Sequence, residues 1–284
     1  MEETDPRRWL WTGLGGGQGM TALIDRYAGF IIDLDGVVYL LDEPIPGSLE
    51  VVQRIQACGK PFVFLTNNSV ATPGQYVEKL ERLGLRVGTE NVVSSSQAAA
   101  RYLEINQIAR GRSAFVIGEE GLVSEVESRG LVVVEGAEGE SADFVFVGWD
   151  RRFTFDKLKV AVVAIRKGAT YIATNTDATY PTPSGLWPGA GTIVAAVTTG
   201  AGREPIVVGK PNPLIVELAL SRMGVSAERA LLVGDRLETD IKAGISTGVD
   251  TMLVLTGVST EEDIGITGID PTHVGARLAA LLAD

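Results

Sequence analysis

The chain has 284 residues, of which 45% are hydrophobic and 21% charged, with a formal net charge of −11. That length holds one large or two medium domains, and the balance of apolar and charged residues excludes a disordered chain. The acidic excess speaks against a nucleic-acid groove, where Lys and Arg follow phosphates, and no apolar run approaches the roughly 18–20 residues that cross a bilayer.

Residues 1–24, which include "DPRRWLWTGLGGGQG", read as a flexible leader outside the fold, with Met20 as an alternative natural start. A twin-arginine export signal needs a longer apolar stretch and a small-residue cleavage site, and neither is present. "GQGMTA" spells a G-x-G-x-x-A dinucleotide fingerprint, but no strand precedes it, so that context fails. From Gly29 onward, short β-branched runs alternate with helical patterns. "AGFIID" (28–33), "KPFVFLTN" (60–67), "PIVVGK" (205–210), "ALLVGD" (230–235) and "TMLVLTG" (251–257) read as core strands. Their continuous apolar character is what a parallel sheet covered on both faces demands. "TPGQYVEKLERLG" reads as a helix with Thr72 as N-cap, Pro73 at its first position, Gln75 closing a capping box and Gly84 as the stop. "PNPLIVELALSRMG" (211–224) repeats that grammar. The alternation predicts a doubly wound, Rossmann-like α/β core with a parallel sheet.

One βα unit takes about 30 residues, and the stretch from Thr66 to Lys210 is far too long for a single crossover. It carries a pattern of its own, in "SAFVIG", "GLVVVEG", "ADFVFVGWD", "TFDKLKVAVVAIRKG", "TYIATN" and "GTIVAAVTTG". An α/β cap inserted into the core is expected, with core residues 25–103 and 204–284 flanking cap residues 104–203.

Two scarcities narrow the chemistry. Cys58 is the single cysteine, so no internal disulfide and no cysteine-cluster metal site can form, which fits a reducing cytoplasm. His273 is the single histidine and lies in "DPTHVGARLAALL", which reads as the first turn of a terminal helix. Zinc sites with several imidazoles are excluded, and a Ser-His-Asp arrangement would rest on that one residue. Carboxylates, hydroxyls, lysine and a hard metal ion are left to do the work.

Ligands of open parallel sheets bind outside the carboxyl ends of the strands. The proposed strands end in Asp33-Leu34-Asp35-Gly36, Thr66-Asn67-Asn68, Gly209-Lys210-Pro211 and Gly234-Asp235, which puts four polar termini on one edge. Residues two apart in extended chain point the same way, so Asp33 and Asp35 flank one reacting centre. Joined by Asp235, they repel unless a cation neutralises them, and three acidic residues with a backbone carbonyl and waters suit Mg²⁺. Thr66 offers a hydroxyl, the loop after it offers backbone N–H groups, and Lys210 can clamp a phosphoryl oxygen. These residues describe phosphoryl transfer with a covalent step, in which Asp33 attacks phosphorus and Asp35 moves the proton.

"DLDGVVY", "LTNNS", "GKPNP" and "GDRLETDI", in that order, resemble the four signature motifs of the haloacid dehalogenase-like hydrolases. "YIATNTDATYPTPSGLWPGAG" is similar to the C2-capped branch, which contains p-nitrophenyl, phosphoglycolate and nucleotide phosphatases. The resemblance covers about residues 28–260. It implies Asp33 as nucleophile, forming an aspartyl phosphate, and Asp35 as general acid/base. It also implies Mg²⁺ held by the Asp33 carboxylate, the Asp35 backbone carbonyl and Asp235, with phosphate on Thr66, Asn67 and Lys210. Asp240 would support the metal's waters. Branch members often pair through their caps, so a homodimer is expected. Thr176, in "TNTD", stands where relatives usually carry proline; it touches the cap loop and not the core chemistry. Related phosphorylating ATPases carry threonine at the position of Asp35, so the acid here points to a hydrolase.

Blander roles stay open at several positions. Asp240 sits near a helix N-terminus, where the dipole favours an acid anyway. Asn68 is read as substrate-binding or as a residue that holds its own loop. Asp177 and Tyr180 either face substrate or serve a turn. The expected function is a Mg²⁺-dependent phosphomonoesterase of small phosphorylated metabolites such as phosphoglycolate, glycerol phosphate or nucleoside monophosphates. The alternative is a non-catalytic phosphate-binding or regulatory module.

Overall fold

The computed structural model describes residues 22–283. The expected leader lies outside them except at its end. Ala22 and Ile24 are buried against the core, and Leu23–Arg26 forms a short helix, α1. Lys60 Nζ donates to the carbonyls of Ile24 and Tyr27 and ties this segment down. Packed structure therefore begins before residue 24, because Ile24 supplies an apolar anchor that a reading by charge and glycine content overlooks.

After α1 come β1 (Gly29–Ile32) and a small antiparallel pair, β2 (Tyr39–Leu40) and β3 (Glu43–Pro44). Next are α2 (Ser48–Ala57), β4 (Phe62–Thr66), α3 (Pro73–Arg82), β5 (Val92–Ser94) and α4 (Ser95–Ile105). The following stretch carries β6 (Ser113–Ile117), α5 (Glu120–Ser128), β7 (Val132–Val133), β8 (Phe144–Val147), α6 (Phe155–Arg166) and β9 (Thr170–Ala173). An antiparallel hairpin of β10 (Thr179–Thr182) and β11 (Gly185–Pro188) leads into α7 (Ala190–Ala201) and β12 (Ile206–Val207). Then follow α8 (Pro213–Met223), β13 (Ala230–Gly234), α9 (Lys242–Thr247), β14 (Asp250–Val254), α10 (Glu261–Thr267) and β15 (His273–Gly275).

Two parallel sheets organise these elements. The core sheet runs β15-β14-β13-β1-β4-β5, and a second sheet, contributed by the inserted segment, runs β12-β9-β8-β6-β7. The fold is thus a doubly wound α/β core with an inserted α/β cap. Alternation along the core strands feeds two hydrophobic clusters on opposite faces. Phe30, Ile32, Phe64, Leu231 and Val233 enter one, while Ile31, Val63, Leu65 and Leu232 enter the other. Both faces being covered explains why these strands read as unbroken apolar runs. The Thr72–Gln75 capping box forms at the start of α3, and Asn212 caps α8 through the Leu214 N–H.

Two expectations are corrected. "PIVVGK" is not a core strand: Ile206 and Val207 pair with Ile172 and Ala173 of the second sheet. The Val208 and Gly209 N–H groups continue that ladder onto the Ala173 and Thr174 carbonyls, so the second sheet extends past residue 203. Apolar character marks a buried strand but does not say which ladder takes it. His273 lies not in a helix but in β15, opposite Met252, with Nε2 2.8 Å from the Tyr27 hydroxyl. The helical signal of the tail belongs to Leu278–Leu282, which forms a short 3₁₀ segment.

Phe64 is fully buried at the middle of β4 and meets Phe62 edge-on, with ring centroids 5.5 Å apart. Phe64→Ala is expected to lower stability by about 3–5 kcal/mol through lost transfer energy and a residual cavity. Urea unfolding with far-UV circular dichroism checks this, and an unchanged midpoint contradicts it.

Candidate active site

β1 lies between β4 and β13, with Ile32 level with Phe64 on one side and Val233 on the other. That register brings Asp33, Thr66 and Asp235 to adjacent strand ends on the carboxyl edge of the core sheet. Lys210 arrives from elsewhere, at the end of the ladder that β12 begins against the second sheet. Its ammonium donates to Asp33 Oδ1 and to Asp240 Oδ1, each at 2.6 Å, and to the Leu65 carbonyl at 3.2 Å. The Lys210–Pro211 peptide is cis.

Glycines make room for the acids. Gly36 turns the chain after Asp35 with a left-handed φ of 89°. A Cβ on Gly36 or on Gly257 would collide with the Asp235 carboxylate, and one on Gly234 would collide with Asp240. The Val258 N–H donates to Asp235 Oδ2 at 2.8 Å and fixes its orientation. Asp240 sits in the π-helical turn 237–241. Its Oδ2 accepts from the Arg236 N–H at 3.3 Å, while its Oδ1 takes the Lys210 ammonium.

Asp35 lies between the two sheets. Thr66 Oγ1 donates to its Oδ2 at 3.3 Å, and Tyr180, from the second domain's hairpin, donates to its Oδ1 at 2.7 Å. Asn67 is a hub. Its Nδ2 donates to the Lys210 carbonyl and to Asp177 Oδ2, and its Oδ1 accepts the Lys210 N–H at 2.8 Å. The Asn67 carbonyl in turn accepts from Ser95 Oγ and Asn175 Nδ2. Asn68 Oδ1 accepts the Val70 N–H, the loop-holding bond open from the sequence. Asp33, Asp35, Thr66, Asn67, Asn68, Lys210, Asp235 and Asp240 all line one cavity, together with Asp177 and Tyr180.

The electrostatics are those of an acidic cluster underground. Burial pushes the Asp33 carboxyl well above its ordinary range against the pull of Lys210, and Asp240, Asp235 and Asp35 push it further. Burial, then repulsion from Asp240, raises Asp235 to about 7. Asp35 keeps a partly exposed face on the cavity, yet burial raises it too, with the Tyr180 hydrogen bond working the other way. Burial disfavours the Lys210 charge, but Asp240 and Asp33 outweigh it and hold the ammonium above the usual lysine range.

Asp33, Asp235 and Asp240 each place a carboxylate oxygen within 4.8 Å of the others. Lys210 and the Arg236 guanidinium at the same cavity do not balance three buried carboxylates plus Asp35, and unpaired buried charge is costly. An oxygen-only donor set with surplus negative charge fits a hard divalent cation such as Mg²⁺. Asp240 stands in this cluster on the same footing as Asp33 and Asp235.

Several lining residues were not singled out from sequence. Trp149, Asn175 and Arg236 face the same cavity, and Ser69 Oγ accepts the Trp149 N–H. Asn175 and Arg236 lie inside quoted motifs, "TNTD" and "GDRLETDI". Trp149 had one readable signal, its place at the polar end of the apolar run "ADFVFVGWD".

A polar strand edge roofed by an inserted sheet is the architecture of capped α/β hydrolases. The family model described as haloacid dehalogenase-like hydrolase matches residues 30–132, and a HAD-hydrolase-like model matches residues 207–281. The chain belongs to the haloacid dehalogenase-like hydrolases, in their C2-capped branch. It is 41% identical over 247 residues to a protein named 5'-nucleotidase YutF of Bacillus subtilis, covering 87% of this chain and 94% of the relative. It is 38% identical to an acid sugar phosphatase of Staphylococcus aureus, covering 91% and 98% of the two chains. The glycerol phosphate phosphatase of Mycobacterium tuberculosis in complex with magnesium superposes with a TM-score of 0.85 at 35% identity, over 93% of this chain and 78% of that one.

A Cβ at residue 257 overlaps the Asp235 carboxylate, so Gly257→Ala displaces that carboxylate or the loop that orients it through the Val258 N–H. Affinity for Mg²⁺, titrated calorimetrically, is expected to fall at least about tenfold. Unaltered affinity would remove Asp235 from the cation centre.

Proposed function

We propose that this chain is a Mg²⁺-dependent phosphomonoesterase that hydrolyses small phosphorylated metabolites through an aspartyl phosphate on Asp33. The observation that carries the reading is the buried Lys210 ammonium held at 2.6 Å from Asp33, with Asp35 facing the same cavity. Lys210 favours the ionised form that attack needs, opposing the burial that raises the Asp33 carboxyl.

In the first half-reaction an Asp33 carboxylate oxygen bonds to phosphorus as the ester P–O bond breaks. The bond's electron pair leaves with the ester oxygen, which takes a proton from Asp35. In the second half Asp35, now a carboxylate, takes a proton from water while the water oxygen attacks phosphorus. The Asp33 O–P bond then breaks, releasing phosphate and restoring both aspartates. Lys210 stays charged throughout and offsets negative charge on the phosphoryl oxygens, beside the Thr66 hydroxyl. The Asp33 carboxylate, the Asp35 backbone carbonyl and Asp235 would hold Mg²⁺, with Asp240 supporting it. When bound, the ion supplies electrostatic stabilisation of the charge spread over the phosphoryl group. Asn67, with its amide committed, orders the Lys210 segment and the phosphate loop rather than lending its side chain to the substrate.

The names of the relatives, which include a nucleotidase, a sugar phosphatase and a glycerol phosphate phosphatase, support a small phosphomonoester as substrate. Phosphoglycolate, glycerol phosphate and nucleoside monophosphates fall within that class. The same reading has two copies pairing through their caps, supported by exposed Phe155, Leu186 and Trp187 on that part of the chain.

Asp33→Asn is expected to reduce turnover of p-nitrophenyl phosphate with Mg²⁺ at least about 10³-fold; undiminished turnover rules out the nucleophile. Replacing Mg²⁺ with Ca²⁺ is expected to inhibit, because a larger ion with looser coordination misplaces the Asp33 carboxylate. Full activity in Ca²⁺ would contradict this. A wild-type chain that binds phosphate analogues but hydrolyses no phosphomonoester would instead restore the non-catalytic binding module.

A further inference from the structure

The two oxygens of Asp35 are claimed by different parts of the molecule. The core holds Oδ2 through the Thr66 hydroxyl at 3.3 Å, and the cap holds Oδ1 through the Tyr180 hydroxyl at 2.7 Å. Among the described residues no other side chain donates to Oδ1. Tyr180 is itself restrained on three sides. Its ring lies against Trp149 with centroids 4.4 Å apart, and the Trp149 N–H donates to Ser69 Oγ of the core at 3.3 Å. The carbonyl of the preceding residue, Thr179, accepts from Arg236 Nη2 at 2.6 Å. Within β10 and β11, Tyr180 faces Trp187 across the hairpin.

Any of several bonds between cap and core can hold the cap down. Asn67 to Asp177 and Arg236 to Thr179 do so without touching the residue that handles the proton. The phenol is different, because it lands on the acid/base itself. We propose that Tyr180 is a positioning residue for Asp35. Its hydroxyl keeps the carboxyl in one orientation during proton transfer to the leaving oxygen, so that acid catalysis is complete only beneath a closed cap. This inference rests on the phosphatase reading above and assigns a role that the cap hairpin plays in it.

The consequence is a dependence on the leaving group. An alkoxide needs its proton as the P–O bond breaks, whereas p-nitrophenolate is stable enough to depart with little help. A misplaced acid therefore harms poor leaving groups most. Tyr180→Phe deletes one oxygen and keeps the ring against Trp149. For glycerol phosphate and phenyl phosphate, kcat/KM is expected to fall at least about tenfold, with KM changed less than about twofold. For p-nitrophenyl phosphate the fall is expected to stay below about threefold.

Equal losses on all three esters, or a change confined to KM, would make Tyr180 a cap-closure contact only and overturn the inference. So would the absence of any loss. Asp35→Asn, assayed alongside on phenyl phosphate, separates the two levels. If that variant keeps full turnover, the acid/base reading of Asp35 fails. If it is inactive while Tyr180→Phe is blind to the leaving group, only the positioning role fails.

Discussion

A buried ammonium holds a strand-end carboxylate and the carboxylate of a neighbouring helical turn side by side. Lys210 bridges Asp33 and Asp240 at 2.6 Å each, and without it both acids would face an environment that already raises Asp33 through burial. Breaking a buried pair by removing one partner costs about 3–5 kcal/mol, because the remaining charge is left uncompensated. Even with Lys210 in place the cluster remains acidic, and that surplus is what a divalent cation would neutralise. The folded chain thus stores electrostatic tension at the point where a charged substrate has to be handled.

The origin of Lys210 gives the site its second property. The lysine is delivered by a segment whose ladder belongs to the second sheet, while its partners stand on the core sheet. Asn67 joins the two bodies, bonding the Lys210 backbone in both directions and also Asp177 of the cap loop. Arg236, next to Asp235, reaches up to the Thr179 carbonyl, and Tyr180 reaches down to Asp35. Cap and core are therefore coupled through the same residues that surround the reacting centre. In a capped hydrolase, closure over the substrate excludes water, and here the cap's bonds end on Asp35 and on the Lys210 segment.

Much of this was legible in the chain itself. Unbroken apolar runs ending in Asp33, Thr66 and Asp235 mark parallel strands with polar tips, because only a sheet covered on both faces needs such runs. Their convergence follows from the rule that parallel strands share a carboxyl edge. The capping box at Thr72 and Gln75 was readable because a helix N-terminus must satisfy its own N–H groups locally. "PIVVGK" was misplaced for a related reason: its hydrophobicity reports burial, but the identity of the pairing strand is set some thirty residues away at β9. His273 was misread because a helical pattern in the tail spilled backward onto a residue that β14 claims for its ladder.

The residue types, their spacing and the order of the motifs determined the architecture, the carboxylates that gather at the sheet's carboxyl edge and the family. Those properties are local: they depend on which side chain ends which strand. Only the tertiary structure decided that Asp240 takes the Lys210 ammonium while bonding the Arg236 N–H, that both donors of the Asn67 amide go to Lys210 and Asp177, and that Tyr180 of the cap bonds Asp35. Each of these is a contact between groups remote in sequence or a competition between two partners for one atom. Distances of a few ångströms settle such competitions, and they exist only once both sheets have packed.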